Sequence, residues 1–255
     1  MKNFTQWNTF NADKIRFALG QERNGKATVN MYLEDNAKEV ALVTPACVTH
    51  WPRVTGDGNF GPMGGPAEVG KAKFTLDLSD APVCDAPNAN FEAFAAILTA
   101  IDERLLSFVY DNQLKVLGRR NLSKDEIRML QIRSVKPRYE KCTGVLLGHS
   151  VQFSALKYAH DGAGGKIVRK INVCDHMGKV LSNGVVQPGD VVAATMYANQ
   201  VYNGIGGDKF GIQWSFEDVQ VICQRASIPQ KLDVPAFGFA QYDFAQAYVD
   251  EMSPG

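Results

Sequence analysis

Two glycine-rich strings are the first places where this chain could do chemistry. GDGNFG, Gly56 to Gly61, has the G-x-G-x-x-G spacing that lets a backbone approach a pyrophosphate. That chemistry needs a helix directly afterwards, and Pro62, Gly64, Gly65 and Pro66 follow instead, so the string reads as a loop. GPAEVGKA, Gly65 to Ala72, nearly matches a P-loop, but Ala72 stands where a magnesium-binding hydroxyl is required and a strand pattern follows. The five cysteines (Cys47, Cys84, Cys142, Cys174, Cys223) are widely spaced with no C-x-x-C, which argues against a zinc site or a disulfide framework and for a reducing compartment. The four histidines (His50, His149, His160, His176) make no metal-ligand cluster. His176, in CDHMGK, reads as a hairpin-tip residue. Adjacent acids such as Asp102 with Glu103, or Glu217 with Asp218, point to different faces of their elements and read as solvated. These observations predict no catalytic set, no cofactor and no metal.

The remaining chemistry is electrostatic. Lys plus Arg and Asp plus Glu number 27 each, so net charge gives no global signature and any basic surface is local. Between Arg104 and Lys141 stand ten basic residues and four acids, a local excess of six positive charges. Its end, IRSVKPRYEK, sets Arg133, Lys136, Arg138 and Lys141 around Tyr139. Cations interleaved with an aromatic suit a phosphate backbone and a base face. Arg119 and Arg120 precede this end, and Lys157 and Arg169 lie on later strands. Trp51, Phe60 and Tyr202 are further candidates for stacking, and Arg53 sits in the same Gly/Pro-rich loop as Trp51 and Phe60. A solvated helix face laced with ion pairs is the competing reading of the basic segment, because Asp125, Glu126 and Arg128 are local partners.

These residues must be held by strands. From Val151 to Arg225, VQFSALKY, IVRKINVCD, VVAATMYANQVY and KFGIQWSFEDVQVICQR are rich in β-branched and aromatic residues, separated by Gly, Asp and Asn. A run of this kind predicts a five-stranded, OB-fold-like barrel. In its last strand Phe210, Ile212, Trp214 and Phe216 share a face by alternation, which places Trp214 in the core. Upstream, KIRFAL, ATVNMYLED and KEVALVTPACV read as strands, with a hairpin at the NGK near Asn24. Thr49 to Lys71 is a long Gly/Pro loop, and AKFTLDLSD returns to a strand with Phe74, Leu76 and Leu78 on one face. NFEAFAAILTAIDERLLSFVYDN is a helix, capped by Asn90, whose Phe91, Phe94, Ile97, Leu98, Ile101, Leu105 and Phe108 recur every three to four residues. A second helix, NLSKDEIRMLQI, opens on a Ser123–Glu126 capping box.

Three stretches carry a resemblance: KAKFTLDLSD leading into NFEAFAAILTAIDERL, KINVCDHMGKVLSNGVVQPGDVVAATMYANQVY, and DKFGIQWSFEDVQVI. Together they are similar to the single-stranded-DNA-binding proteins of T7-like phages and of nucleocytoplasmic large DNA viruses. VALVTPACVTHWPRVTGDGNFG resembles the strand, T-P, aromatic, F-G entry of the large-virus members. The resemblance implies an OB-fold, non-enzymatic binding of single-stranded DNA in replication or recombination, and a dimer. The C-terminal tail departs from the family, because it is only weakly acidic and ends in Pro254-Gly255.

The expected molecule is therefore mainly β with α elaboration (α+β). Residues 1–227 form a single elaborated OB-fold-like domain, with the barrel run at 151–225 and a helical insertion at 90–132. Residues 228–255 form a tail or arm. It binds single-stranded DNA without sequence specificity, with RNA left open. The tail is a place for replication proteins to dock, the chain forms homo-oligomers, and the protein lies inside the cell and off membranes. The competing expectations are a structural or assembly protein that binds no nucleic acid, and an enzyme that uses the Gly-rich loop for a nucleotide.

Overall fold

Alternating apolar residues before and after a Gly-containing turn give the first hairpin, and Gly25 takes a left-handed φ of 74° that residues with a Cβ rarely adopt. The computed structural model describes residues 5–23, 25–33, 40–51, 54–55, 72–78, 89–139, 142–155, 158–160, 166–168, 172–179, 185–186, 189–203 and 209–223. The N-terminal strands are β1 (Thr5–Gln6), β2 (Ile15–Arg23), β3 (Lys26–Leu33), β4 (Ala41–Val43), β5 (Cys47–Trp51), β6 (Val54–Thr55) and β7 (Ala72–Asp77). Three helices follow, α1 (Ala89–Asp111), α2 (Gln113–Leu117) and α3 (Lys124–Leu130). Then come β8 (Gln131–Ile132), β9 (Val135–Tyr139), β10 (Leu146–Ala155), β11 (Tyr158–His160), β12 (Lys166–Val168), β13 (Asn172–Cys174), β14 (Val185–Val186), β15 (Val191–Asn203) and β16 (Phe210–Cys223). The molecule is mainly β, a curled and largely antiparallel sheet with few helices.

The strand pairing differs from a consecutive meander. β15 and β16 pair along most of their length, but β10 pairs antiparallel with β7 and β9 and parallel with β16. β15 reaches back to β5, β4 and β3 in turn, so most N-terminal strands join β10, β13, β15 and β16 in one sheet, while β6 with β14 and β11 with β12 form two separate two-stranded sheets. Strands of such different sequence separation pair because each has one apolar face to bury against the same layer. Part of the expected Thr49–Lys71 loop is also strand: β5 runs to Trp51, and Val54–Thr55 pairs with Val185–Val186. Residues 56–71 and the 228–255 tail lie outside the described residues.

Helix α1 covers the apolar side of this sheet. Phe91, Phe94, Leu98, Ile101 and Leu105 are buried, as the three-to-four spacing predicts, Val109 joins them, and Ile97 and Phe108 are only half-buried; each side chain fully removed from water stabilises by about 1.5–3 kcal/mol. They pack with Leu76, Val151, Phe153, Trp214 and Phe216 from the sheet in one core. The helix begins at Ala89, so Asn90 lies within its first turn and does not cap it. The capping box of α3 forms as expected, with the Ser123 hydroxyl accepting from the Glu126 N–H while the Glu126 carboxylate accepts from the Ser123 N–H. The short α2 was not anticipated, and Gly118 closes it in a left-handed conformation.

One buried carboxylate ties helix to sheet. Asp102 follows Leu98 by four residues and precedes Leu105 by three, so it falls on the inward stripe and is buried, contrary to the solvated reading. Its carboxylate accepts the Ser134 N–H at 2.7 Å and the Ser134 hydroxyl at 2.8 Å. The Ser134 oxygen in turn accepts the Trp214 indole N–H at 2.8 Å. Glu103, on the other face, pairs with Arg128 at 2.8 Å. Burial pushes the Asp102 carboxyl up to about 6, against the opposing effect of the Ser134 hydrogen bonds and of Arg133.

Candidate nucleic-acid interface

Strand alternation gives the β5–β7–β10–β9 part of the sheet two unlike faces. One carries Leu76, Val151 and Phe153 into the core beneath α1. The register sets the other out in rows. Val48, Asp77, Ser150 and Lys136 stand opposite one another across the four strands. In the next row Trp51, Thr75 and Gln152 correspond. A further row joins Ser154 to Ser215 and Ser215 to Tyr197, and there Ser215 and Tyr197 are buried, so this row is not open to solvent. The described side chains of this second face are therefore mostly polar. Thr75, Asp77 and Gln152 are half-buried, and Lys136 is exposed with its Nζ 3.5 Å from the Gln152 Oε1.

The face ends at β9, whose partner among the described strands is β10. Among the described strands, none pairs along its other edge. Pro137 removes one backbone donor from that strand, and Lys136 and Arg138 flank it, a combination that resists pairing with a further β-strand. Lys136 and Arg138 share the polar face. Tyr139, three residues from Lys136, has the opposite alternation, so the two side chains flank the β9 edge from its two sides. Tyr139 stands opposite Leu146 at the open end of the hairpin and is 59% exposed. Arg133 is exposed just before β9. Cations on one side of an open edge and an aromatic ring on the other can hold a flexible anionic polymer by its phosphates and by one ring face.

The structure distributes the expected residues unevenly. Arg133, Lys136, Arg138 and Tyr139 come together on or beside β9. Arg138 forms an ion pair with Asp77, and both side chains are largely shielded, at 22% and 15% exposure. Arg119 and Arg120 are exposed in the turn after α2, which packs against β3 and is closed by Leu122 N–H donating to Gln113. That turn adjoins the C-terminal end of α1. Asp102, which anchors the start of β9, lies nine residues back along the helix, about 13 Å. Tyr202 is half-buried on β15 opposite Gly211, where a Cβ on Gly211 would come within 3.3 Å of its hydroxyl and 2.6 Å of the Ile132 carbonyl. Burial, then the Asp102 charge, raises the Tyr202 phenol. Trp51 closes β5 in register with Thr75. Arg53, Phe60, Lys141, Lys157 and Arg169 lie outside the described residues.

Several basic residues of the Arg104–Lys141 segment have acidic or hydroxyl partners. Arg104 pairs with Asp13 at 3.2 Å, Arg128 with Glu103, and Lys124 donates to the Ser107 hydroxyl at 3.1 Å. Part of the segment's charge thus holds α1 and α3 together and to the N-terminal strands. Thr75, Asp77 and Gln152 were not singled out from the sequence. Their alternation with Leu76, Val151 and Phe153 was the available signal. Among the described residues no group of three or more His, Cys, Asp or Glu side chains could hold a metal ion, and no helix is long and apolar enough to cross a membrane.

Comparison with solved structures finds similarity to gp2.5, a single-stranded DNA binding protein encoded by bacteriophage T7, at 10% sequence identity and a TM-score of 0.47. The match covers 82% of this chain and 94% of that one. The single-stranded DNA-binding protein from bacteriophage Enc34, in complex with single-stranded DNA, is similar at 10% identity and a TM-score of 0.40, over 84% of this chain and 99% of that one. The C-terminal truncation of the Enc34 protein is similar at 11% identity and a TM-score of 0.39, over 87% and 98%. No protein-family model and no curated protein matches the chain.

Proposed function

We propose that this chain binds single-stranded DNA without sequence specificity and without catalysis, on a sheet that curls as an OB-like barrel. The observation that carries the reading is the β9 edge, unpaired among the described strands: exposed Lys136 lies on its polar side, exposed Tyr139 on its other side, and exposed Arg133 just before it. Lys136 and Arg133 meet phosphates, and Tyr139 stacks on a base. Trp51 and the polar row behind it extend the track across β7 and β10. Arg119 and Arg120, on a different edge, act as a secondary electrostatic patch. On this reading the protein covers single strands during replication, recombination or repair inside the cell. The tail is the element that would recruit other replication proteins or a second subunit.

Anisotropy titrations of a labelled oligo-dT, the same length of RNA and a duplex, each at several salt concentrations, test the proposal. Single-stranded DNA is expected to bind most tightly at low salt, with log affinity falling by about 0.7 per phosphate contact for each decade of salt. Absence of binding at low salt, or affinity that ignores salt, would refute it.

One observation favours a second reading, an assembly role. Val145 and Leu146, beside Tyr139 at the hairpin end, are 57% and 50% exposed, an apolar group suited to a protein partner. Light scattering separates the two readings. An oligomer that dissociates on Leu146→Ser, in a protein that binds no oligo-dT, favours assembly.

A further inference from the structure

Resting on the single-stranded-DNA reading, we propose that Asp77 is a built-in competitor for phosphate on Arg138, so that a nucleic-acid strand must displace its carboxylate to reach that guanidinium. Asp77 and Lys136 occupy one row of the polar face, separated only by Ser150, and Arg138 lies two residues along β9 on the same side. The guanidinium therefore sits between an acid fixed on β7 and the open edge where phosphates would arrive. Its ion pair with Asp77 is shielded on both sides, at 22% and 15% exposure. A carboxylate and a phosphate offer a guanidinium the same two-oxygen geometry, so one can replace the other. The β9 edge then holds an exposed cation, Lys136, and a guarded one, Arg138. Asp77 acts through Arg138 and is a positioning residue.

The competition predicts opposite signs for two substitutions, which a purely structural ion pair does not. Asp77→Asn removes the competitor, and its affinity for oligo-dT is expected to rise roughly tenfold at low salt, the size of one charge-assisted hydrogen bond. Its salt dependence is expected to steepen by about 0.7, one added phosphate contact. Arg138→Gln leaves the Asp77 charge facing incoming phosphates, and its affinity is expected to fall. Anisotropy titrations of both variants and the parent protein, on chains whose circular dichroism matches the parent's, read the result. Loss or no change of affinity in Asp77→Asn overturns the proposal. If that variant fails to fold, unchanged affinity in Arg138→Gln overturns it instead. A parent protein that binds no oligo-dT refutes the DNA reading and the competition with it. A parent that binds while both variants bind equally well refutes the competition alone.

Discussion

Tyr139→Ala is expected to weaken oligo-dT binding by about 1–3 kcal/mol, roughly 5- to 150-fold, because a ring that stacks on a base is lost without replacement. The ring is 59% exposed at the end of β9, so its removal leaves the core intact and the melting temperature close to the parent's. Lys136→Ala is expected to act differently. It removes one phosphate contact, so the salt slope becomes shallower by about 0.7 and the loss is largest at low salt. The double variant combines a stacking loss that persists at high salt with an electrostatic loss that fades. Arg119→Ala with Arg120→Ala, on the turn after α2, is expected to cost less than Tyr139→Ala alone. A larger loss there would move the binding surface to the helical end of the molecule.

Stability is expected to fall as pH rises from about 4 to about 6, by the contribution of Asp102. The buried carboxyl keeps its proton up to about pH 6, whereas an exposed one releases it near 3.8. Between those values the folded state binds more protons than the unfolded state, so each step upward in pH favours unfolding. Above about 6 both states are ionised, and below about 3.8 both are protonated, so the contribution is flat outside the window. A difference of about two pH units corresponds to roughly 3 kcal/mol. Asp102→Asn lacks this titration while keeping an oxygen to accept the Ser134 N–H. Its stability relative to the parent is therefore expected to improve by roughly that amount between pH 4 and pH 7. Urea denaturation of both proteins across that range checks it, and parallel curves would contradict it. The consequence reaches the interface, because Ser134 immediately precedes β9 and joins Asp102 to Trp214.

How much of this could be read beforehand depended on the range of the interaction. The β2–β3 hairpin, the Ser123–Glu126 box, the apolar stripe of α1 and the core position of Trp214 are set by neighbours within a few residues, and alternation or helical spacing gave each of them. The turn at His176 is also local, with Asp175 accepting the N–H groups of Met177 and Lys179. Asp102 was legible in principle, since its spacing from Leu98 and Leu105 puts it inward, but its adjacency to Glu103 suggested solvent. What alternation cannot supply is register between distant strands. That Asp77 lies in one row with Ser150 and Lys136, and so meets Arg138, depends on β7 and β9 both pairing with β10. The basic segment shows the same limit. Its charge excess is real in sequence, yet Asp13, Asp77 and Glu103, all from before the segment, take up Arg104, Arg138 and Arg128. The OB-like run was likewise legible as strands but not as a topology, since β10 finds its partners on both sides of the helical segment.

The most direct test of the central claim is photocrosslinking of an iodouridine-substituted single-stranded oligomer to the full chain, with the adducts mapped by mass spectrometry. Adducts at Tyr139, and otherwise on the β9–β10 hairpin or the polar rows of β5 and β7, are the predicted result. Adducts confined to the Arg119–Arg120 turn, or none under conditions where anisotropy shows binding, would contradict the assignment of the β9 edge as the DNA-binding surface.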